Sequence, residues 1–258
     1  MSRRALAGLW HFARTPQRAG WHKREALLGQ KMPHEPRRFQ TVAQTPIDRN
    51  VKQILGLLQS APGKSQLARE PTAPRSLGRV SPLTRGLRAA EEASEQGFGD
   101  ELVLAALLHD CGQLLGAGDP HTASLPPEER ASKWLRAKGM STQVCSLVFR
   151  DVDTRRYIWH MDPGLFQSLP DSAKADLTAK GGPMAADEAA AFEQLRLFGA
   201  SMALRRCCEV ADMAAEDPRP PGGIAQYRCL LEEHLGEQLA EQCWWETLGE
   251  SGTYHLKR

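Results

Sequence analysis

The chain lacks the patterns that mark membrane-spanning, nucleotide-binding and strand-rich proteins. Its apolar runs fall far short of the roughly 18 residues that a helix needs to cross a bilayer, so we expect no membrane partner. The 258 residues contain neither a GxGxxG pattern nor a P-loop, and no internal repeat. Alternation of apolar and polar residues is absent as well, which argues against β-strands. These absences favour an all-α fold.

The cysteines of this chain do not have the spacing of a redox pair or of a zinc site. Six cysteines occur, and they form neither a CxxC pair nor a zinc knuckle. Cys207 and Cys208 are adjacent in sequence and are poorly placed to bridge each other. We therefore predict free thiols in a reducing compartment.

Charge is distributed unevenly along the chain. Residues 1–40 contain nine Lys or Arg and two Asp or Glu, a net charge of +7, whereas the remainder has 24 against 29, a net charge of −5. The first acidic residue is Glu25, and apolar residues such as Leu9 and Trp10 interrupt the arginines before it. This pattern is typical of an organelle transit peptide, with the mitochondrion ahead of the plastid. The alternatives are a basic disordered tail on a cytoplasmic protein or a nucleic-acid arm, but the acidic body predicts no nucleic-acid partner.

The spacing of apolar residues from position 46 onward predicts one helix after another. We expect residues 1–46 to be a disordered basic extension, 47–247 an all-α multi-helix domain, and 248–258 a tail. Asp100 is a candidate N-cap of the most apolar helix. The predicted helices span residues 46–61, 83–97, 100–115, 127–139, 141–159, 170–182, 185–199, 200–217 and 224–249.

The stretch "AALLHDCGQLLG" (105–116) places His109 and Asp110 side by side in an apolar segment. Two ionisable groups are costly there unless each has a partner. A metal ion provides one, because it accepts a neutral imidazole nitrogen and a carboxylate oxygen. The alternative is a hydrogen bond between the two side chains at a helix end.

The same stretch resembles the HD-domain superfamily, a group of all-helical metalloproteins named for an adjacent His–Asp pair. The resemblance extends to one branch, the HD proteins associated with phosphonate breakdown, whose best-known members are mixed-valent di-iron oxygenases acting on 2-aminoethylphosphonate-type compounds. It covers roughly Val80 to Leu231 and implies a multi-helix HD bundle. The segments that carry it, in the order of the family, are "DELVLAALLHDCGQLL", "ASKWLRAKG", "DTRRYIWHMDPGLFQSL", "GGPMAADEAAAFEQL", "LRRCCEVAD" and "QYRCLL".

The chain departs from the six metal ligands that this resemblance implies, four His and two Asp. Only the central pair, His109 and Asp110, is retained. Two substituted positions cannot serve a metal in the usual way, because an arginine has no free lone pair and a proline offers only its carbonyl. The four substituted positions hold Arg85, Pro127, Asp151 and Cys208, with Glu209 next to the last.

The positions that contact substrate in the family are changed too. Gln113 replaces a histidine and Asp212 replaces a lysine. Arg155 keeps the positive charge of a second lysine, so it remains a candidate contact for a small phosphonate or phosphate ligand. The gating Tyr and Glu of the family would lie near Arg75 and Gly78, and neither residue type is present.

These changes predict that no di-iron pair forms and that Arg85 replaces the metal electrostatically, bridging Asp110 and Asp151. A reduced site is the alternative, in which His109, Asp110 and Asp151 hold a single divalent ion, Fe or Zn. In that case Cys208 or Glu209 would be the fourth ligand. His121 and His160 lie near the lost positions and could substitute as ligands.

Three hypotheses for function follow. The first is a catalytically degenerate HD-fold protein kept for binding or assembly, for which we assign no catalytic residue. The second is an active HD enzyme with altered ligation, either a phosphonate oxygenase or a phosphohydrolase. The third is a helical interaction module that docks a partner through Trp244 and Trp245, unless these side chains pack back on the domain.

Overall fold

The computed structural model describes residues 45–60, 81–115, 124–169, 171–213 and 221–251. Within these ranges every regular element is helical, so the predicted all-α fold is confirmed. Residues 1–44 of the predicted transit-like segment lie outside the described residues, as do His121, Arg75, Gly78 and the side chains of Trp244 and Trp245. In the described part, no helix combines the length and apolar character that crossing a bilayer requires.

The helices follow the chain in twelve α-segments and one 3-10 turn within the described ranges. Most of the predicted helices are confirmed, although α3 begins at Asp100 itself, with Gly99 rather than Asp100 as its N-cap. The last helix, predicted to end at residue 249, ends at Ser251. The bounds are α1 Pro46–Gln59, α2 Pro82–Glu95, α3 Asp100–Leu108, α4 Cys111–Leu114, α5 Pro127–Ala137, α6 Thr142–Phe149, α7 Asp151–Met161, α8 Pro163–Gln167, α9 Asp171–Ala179, α10 Ala186–Glu193, α11 Phe198–Met213, the 3-10 turn Ile224–Tyr227, and α12 Arg228–Ser251.

Two predicted helices are each broken into two. The segment 100–115 turns at Asp110, whose φ of −97° and ψ of 2° leave the helical region. The segment 141–159 turns at Arg150, with φ −85° and ψ 5°. Both breaks matter for the candidate site, because they place His109 and Asp110 just after α3 and make Asp151 the first residue of α7.

Helix α3 lies at the centre of the fold. Residues 102–108 are all buried, and α3 packs against α2, α6 and α11. The approach of α2 is close, because a Cβ at Gly86 would collide with the carbonyl of Leu107. Glycine at position 86 therefore lets α2 lie directly against α3, and it brings the neighbouring Arg85 to the end of that helix.

The segment "KGGPMAADE" (180–188) is held against α7 by one arginine. Arg156 donates from Nε to the Gly182 carbonyl at 2.9 Å and from its two terminal nitrogens to the Glu188 carboxylate at 2.6 and 2.8 Å. Gly181 has a φ of +105°, and a Cβ there would lie 2.9 Å from the guanidinium. The two glycines thus permit a turn that folds over Arg156, and the role of this segment is structural.

A buried histidine joins the last helix to the start of α6. His234 accepts a hydrogen bond at Nε2 from the backbone N–H of Ser141, at 3.1 Å. Ser141 caps α6 through its hydroxyl, which also donates to Glu101 at 2.6 Å. Because Nε2 accepts, the imidazole must be neutral. Burial lowers the pKa of His234, and the weaker influence of carboxylates led by Glu101 does not reverse that shift.

We predict that the contribution of His234 to stability is lost in mildly acidic solution. A histidine with a lowered pKa stabilises the fold fully above its unfolded pKa of roughly 6.5 and loses that effect as the pH falls through the folded pKa. Urea unfolding of the wild type and of His234→Gln, which keeps an acceptor but does not titrate, measures this effect. The wild type should lose stability relative to the variant between pH 7.5 and pH 5. A parallel decline of the two proteins would contradict the assignment.

Candidate functional site

Arg85 and Asp110 form the closest ion pair of the candidate site. Arg85 projects from α2, and its Nη2 lies 2.5 Å from Asp110 Oδ2. Its Nε lies 3.4 Å from Asp212 Oδ1 on α11. Neither Arg85 Nε nor Asp110 Oδ2 has a hydrogen bond of regular geometry, so the attraction is mainly between the charges themselves. Arg85 therefore joins α2 to the end of α3 and to α11.

The other contacts of Asp110 complete its neutralisation. Gln113 on α4 donates to Oδ1 at 2.9 Å, and His109 Nε2 lies 3.3 Å from Oδ2. Burial alone would raise the pKa of Asp110, but His109 and Arg85 outweigh burial and hold it well below the usual range. Asp110 is thus an ionised carboxylate with both oxygens engaged.

Both ring nitrogens of His109 face acceptors. Nδ1 lies 2.8 Å from the Ala106 carbonyl oxygen, and Nε2 faces the Asp110 carboxylate. Both nitrogens can donate only if the ring is an imidazolium. Burial would lower the pKa of His109, but the Asp110 carboxylate and the nearby Cys208 sulfur outweigh it and hold the pKa well above its ordinary value.

Asp151 has partners different from those predicted. Its Oδ2 lies 2.6 Å from Arg155 Nη2, one turn along α7, and its Oδ1 lies 3.3 Å from Arg205 Nη1 on α11. The predicted bridge from Arg85 to Asp151 is therefore wrong, because Asp212 takes that place beside Arg85. The two arginines outweigh burial and lower the pKa of Asp151.

The sequence does not single out Arg205, which links the two halves of the site. Its side chain is only 7% exposed, and it contacts Asp151, Asp212 and Glu209. Burial would lower its pKa, but these carboxylates raise it. The sequence contains a signal for these contacts, because Glu209 and Asp212 follow Arg205 by four and seven residues and so share its helix face. We call the set Arg85, Asp110, Asp151, Arg155, Arg205 and Asp212 the arginine–carboxylate network.

The remaining candidate ligands lie at the edge of the network or away from it. Cys208 is buried beside His109, and burial raises the pKa of Glu209 against the opposing influence of Arg205. His160 bonds through Nδ1 to the Met184 carbonyl at 2.8 Å and so anchors the segment 180–188 instead of the network. Pro127 begins α5. Its backbone carbonyl packs so closely against Gly112 that a Cβ at position 112 would collide with it.

The carboxylate oxygens that a metal pair would use have other partners in this structure. The oxygens of Asp110 and Asp151 all contact arginine, glutamine or histidine side chains, and three guanidiniums already supply positive charge. Across the ranges that the structure describes, no group of three His, Cys, Asp or Glu side chains is arranged to hold a metal ion.

Comparisons with known proteins give two distant similarities. No protein-family model matches the sequence. The chain is 25% identical over 196 residues to an uncharacterized protein of Acanthamoeba polyphaga mimivirus, which covers 74% of this chain and 84% of that protein. It is also 25% identical over 193 residues to a glycine-betaine-forming 1-hydroxy-2-(trimethylamino)ethylphosphonate dioxygenase of Leisingera caerulea, covering 72% of this chain and 93% of that enzyme. The second similarity agrees with the resemblance to proteins of phosphonate breakdown.

We predict that Arg85 and Asp110 are strongly coupled in stability. Arg85→Met leaves a buried carboxylate without its closest cation and should lower the free energy of unfolding by about 3 kcal/mol. The double variant Arg85→Met, Asp110→Leu should be more stable than the sum of the single effects implies, by at least about 1 kcal/mol. Denaturant unfolding of the four proteins of this cycle gives the coupling.

Lys133→Met is the matched control for this cycle. It removes one cation from an exposed pair with Glu129 on α5 and should change the free energy of unfolding by less than about 1 kcal/mol. Strictly additive effects of Arg85→Met and Asp110→Leu would show that the pair contributes nothing specific.

Proposed function

We propose that this chain is an HD-type helical protein, related to organophosphonate dioxygenases, that acts by binding or assembly rather than by metal-dependent catalysis. The contact of Arg85 with Asp110 at 2.5 Å carries the proposal, because it sets a fixed cation beside the central carboxylate of the His–Asp pair. The distant similarity to a phosphonate dioxygenase over 93% of that enzyme supports the relationship.

The chemistry of a guanidinium explains why the replacement of a metal ion by Arg85 would end catalysis. A metal ion in a hydrolytic or oxidative site acts as a Lewis acid and offers an open position to water or substrate. A guanidinium neutralises the same carboxylate, but it has no empty orbital and no exchangeable position. In this proposal Arg85 preserves the electrostatic balance of the helical fold while removing the reactive centre.

A second candidate is a metal-dependent enzyme with altered ligation. The similarity to an active dioxygenase favours it, and His109 supports it through one feature. The bond from Nδ1 to a backbone carbonyl is the arrangement that orients a metal-ligating imidazole, whose Nε2 would then bind the metal. For this candidate, Arg85 would have to leave Asp110 and His109 would have to lose a proton.

Metal analysis separates the two candidates. The protein and its His109→Ala variant are purified anaerobically with ferrous iron supplied, and iron, zinc and manganese per chain are measured by mass spectrometry. We expect far less than one metal ion per chain in both proteins, because the donor atoms are engaged. About one ion per chain that His109→Ala abolishes would establish the second candidate. Two irons per chain would overturn the proposal outright.

The proposal includes a small phosphonate or phosphate ligand contacted by Arg155. This side chain is 34% exposed, against 15% for Arg85 and 7% for Arg205, so it is the arginine of the network that reaches solvent best. Its Nε is buried without a hydrogen-bond partner, although its Nη2 contacts Asp151. Because the Nε is buried, an oxyanion entering from solvent would have to meet the rest of the Arg155 guanidinium.

Titration with methylphosphonate and with inorganic phosphate, followed by calorimetry, tests the Arg155 contact. Arg155→Gln should weaken binding by about tenfold, in line with the loss of one charge-assisted hydrogen bond. Arg150→Gln removes a neighbouring arginine that instead lies 3.7 Å from Asp153, and it should leave binding unchanged. Equal affinities in all three proteins would exclude Arg155 as the contact.

A further inference from the structure

A groove outside the arginine–carboxylate network lies where the end of α2 meets the start of α3 and the 3-10 turn. Its volume is about 480 Å³, and it is open to solvent. Four structural elements contribute to it, so its shape depends on the packing of the domain rather than on one loop. We call it the α2–α3 groove, lined by Glu91, Ser94, Glu95, Phe98, Asp100, Val103, Gln226, Tyr227 and Leu230.

The floor of the α2–α3 groove is apolar and rigidly held. Val103 and Tyr227 are buried in the core, and Leu230 packs against the same core. Phe98 differs from these residues, because this large apolar residue is 36% exposed. An exposed aromatic ring beside a concave apolar surface is typical of a protein-binding site.

The rim of the α2–α3 groove carries charge of one sign. Glu91, Glu95 and Asp100 line it, and among the lining residues that the structure describes there is no lysine or arginine. Glu91 is partly engaged, since its Oε1 accepts a hydrogen bond from the backbone N–H of Gly222. Glu95 and Asp100 are exposed, so their carboxylates remain accessible to a partner.

We infer that the α2–α3 groove is a docking surface for a basic peptide segment of a partner protein, one that sets an aromatic or aliphatic side chain beside lysine or arginine. Charge complementarity selects a cationic partner, and the apolar floor selects the neighbouring side chain. Glu91 and Glu95 are one helical turn apart, about 6 Å along the axis, which suits successive basic side chains of a peptide.

This inference goes beyond the proposed function and does not depend on it. The groove contains no residue of the arginine–carboxylate network, so the presence or absence of metal leaves it unaffected. A failed peptide test would therefore leave the metal analysis and its conclusion intact.

A display library of random 12-residue peptides, selected on the full-length protein, provides the probe. The best peptide is then synthesised with a fluorescent label, and its Kd is measured by anisotropy for the wild type and for groove variants. We expect selection to enrich peptides that combine lysine or arginine with an aromatic or aliphatic residue. Glu95→Gln with Asp100→Asn, and Phe98→Ala separately, should each weaken binding by tenfold or more.

The control variant carries Glu128→Gln and Asp187→Asn. It loses the same two charges from the first turns of α5 and α10, outside the groove, and should change the Kd by less than twofold. Thermal melting of every variant confirms that the fold is retained. Glu91 is left unchanged because it has a structural bond to Gly222.

Four outcomes would overturn the inference. Enrichment of neutral or acidic peptides, or of none, would exclude a basic partner. Binding that the groove variants do not weaken would place the peptide elsewhere. Displacement of the peptide by tetramethylammonium alone at similar affinity would identify a small-cation site, and self-association abolished by Phe98→Ala would identify a second copy of the chain as the occupant.

Discussion

A carboxylate at the end of an apolar helix must be neutralised, and the centre of this protein is organised by that requirement. Asp110 follows a helix whose residues 102–108 are all buried, where an unpaired negative charge would be severely destabilising. Arg85, His109 and Gln113 supply the compensation from three neighbouring segments. Since Arg85 also contacts Asp212, and Arg205 joins Asp212 to Asp151, the same charge balance ties α2, α3, α7 and α11 together.

The two ways of neutralising such a carboxylate have different chemical consequences. A bound metal ion can exchange and can offer open coordination positions. A guanidinium is part of the chain and presents only N–H donors. The protonation of His109 follows from the same choice. Both ring nitrogens lie beside oxygen acceptors, and the Asp110 carboxylate holds the pKa of His109 above its ordinary value. The arrangement of Asp110 and His109 therefore favours salt bridges over coordination.

The fold was largely predictable from the sequence because apolar residues recur at helical spacing from position 46 onward. The breaks at Asp110 and Arg150 were not, since the apolar pattern continues across both and only the tertiary packing turns the backbone there. Arg85 could be identified as a cation near Asp110. Its second partner could not, because Asp212 and Asp151 lie on different helices and sequence gives no distance between them. The role of Arg205 was not predicted for the same reason, although the sequence places Glu209 and Asp212 on the same face of its helix.

The sharing of Asp212 between Arg85 and Arg205 has a consequence for how this chain can vary over evolutionary time. Substitution of one member changes the charge balance of groups on other helices, so the effects of substitutions at these positions should not be additive. The six positions of the network should covary among close homologues. A lineage that exchanged these arginines for metal ligands would have to change several of these positions together.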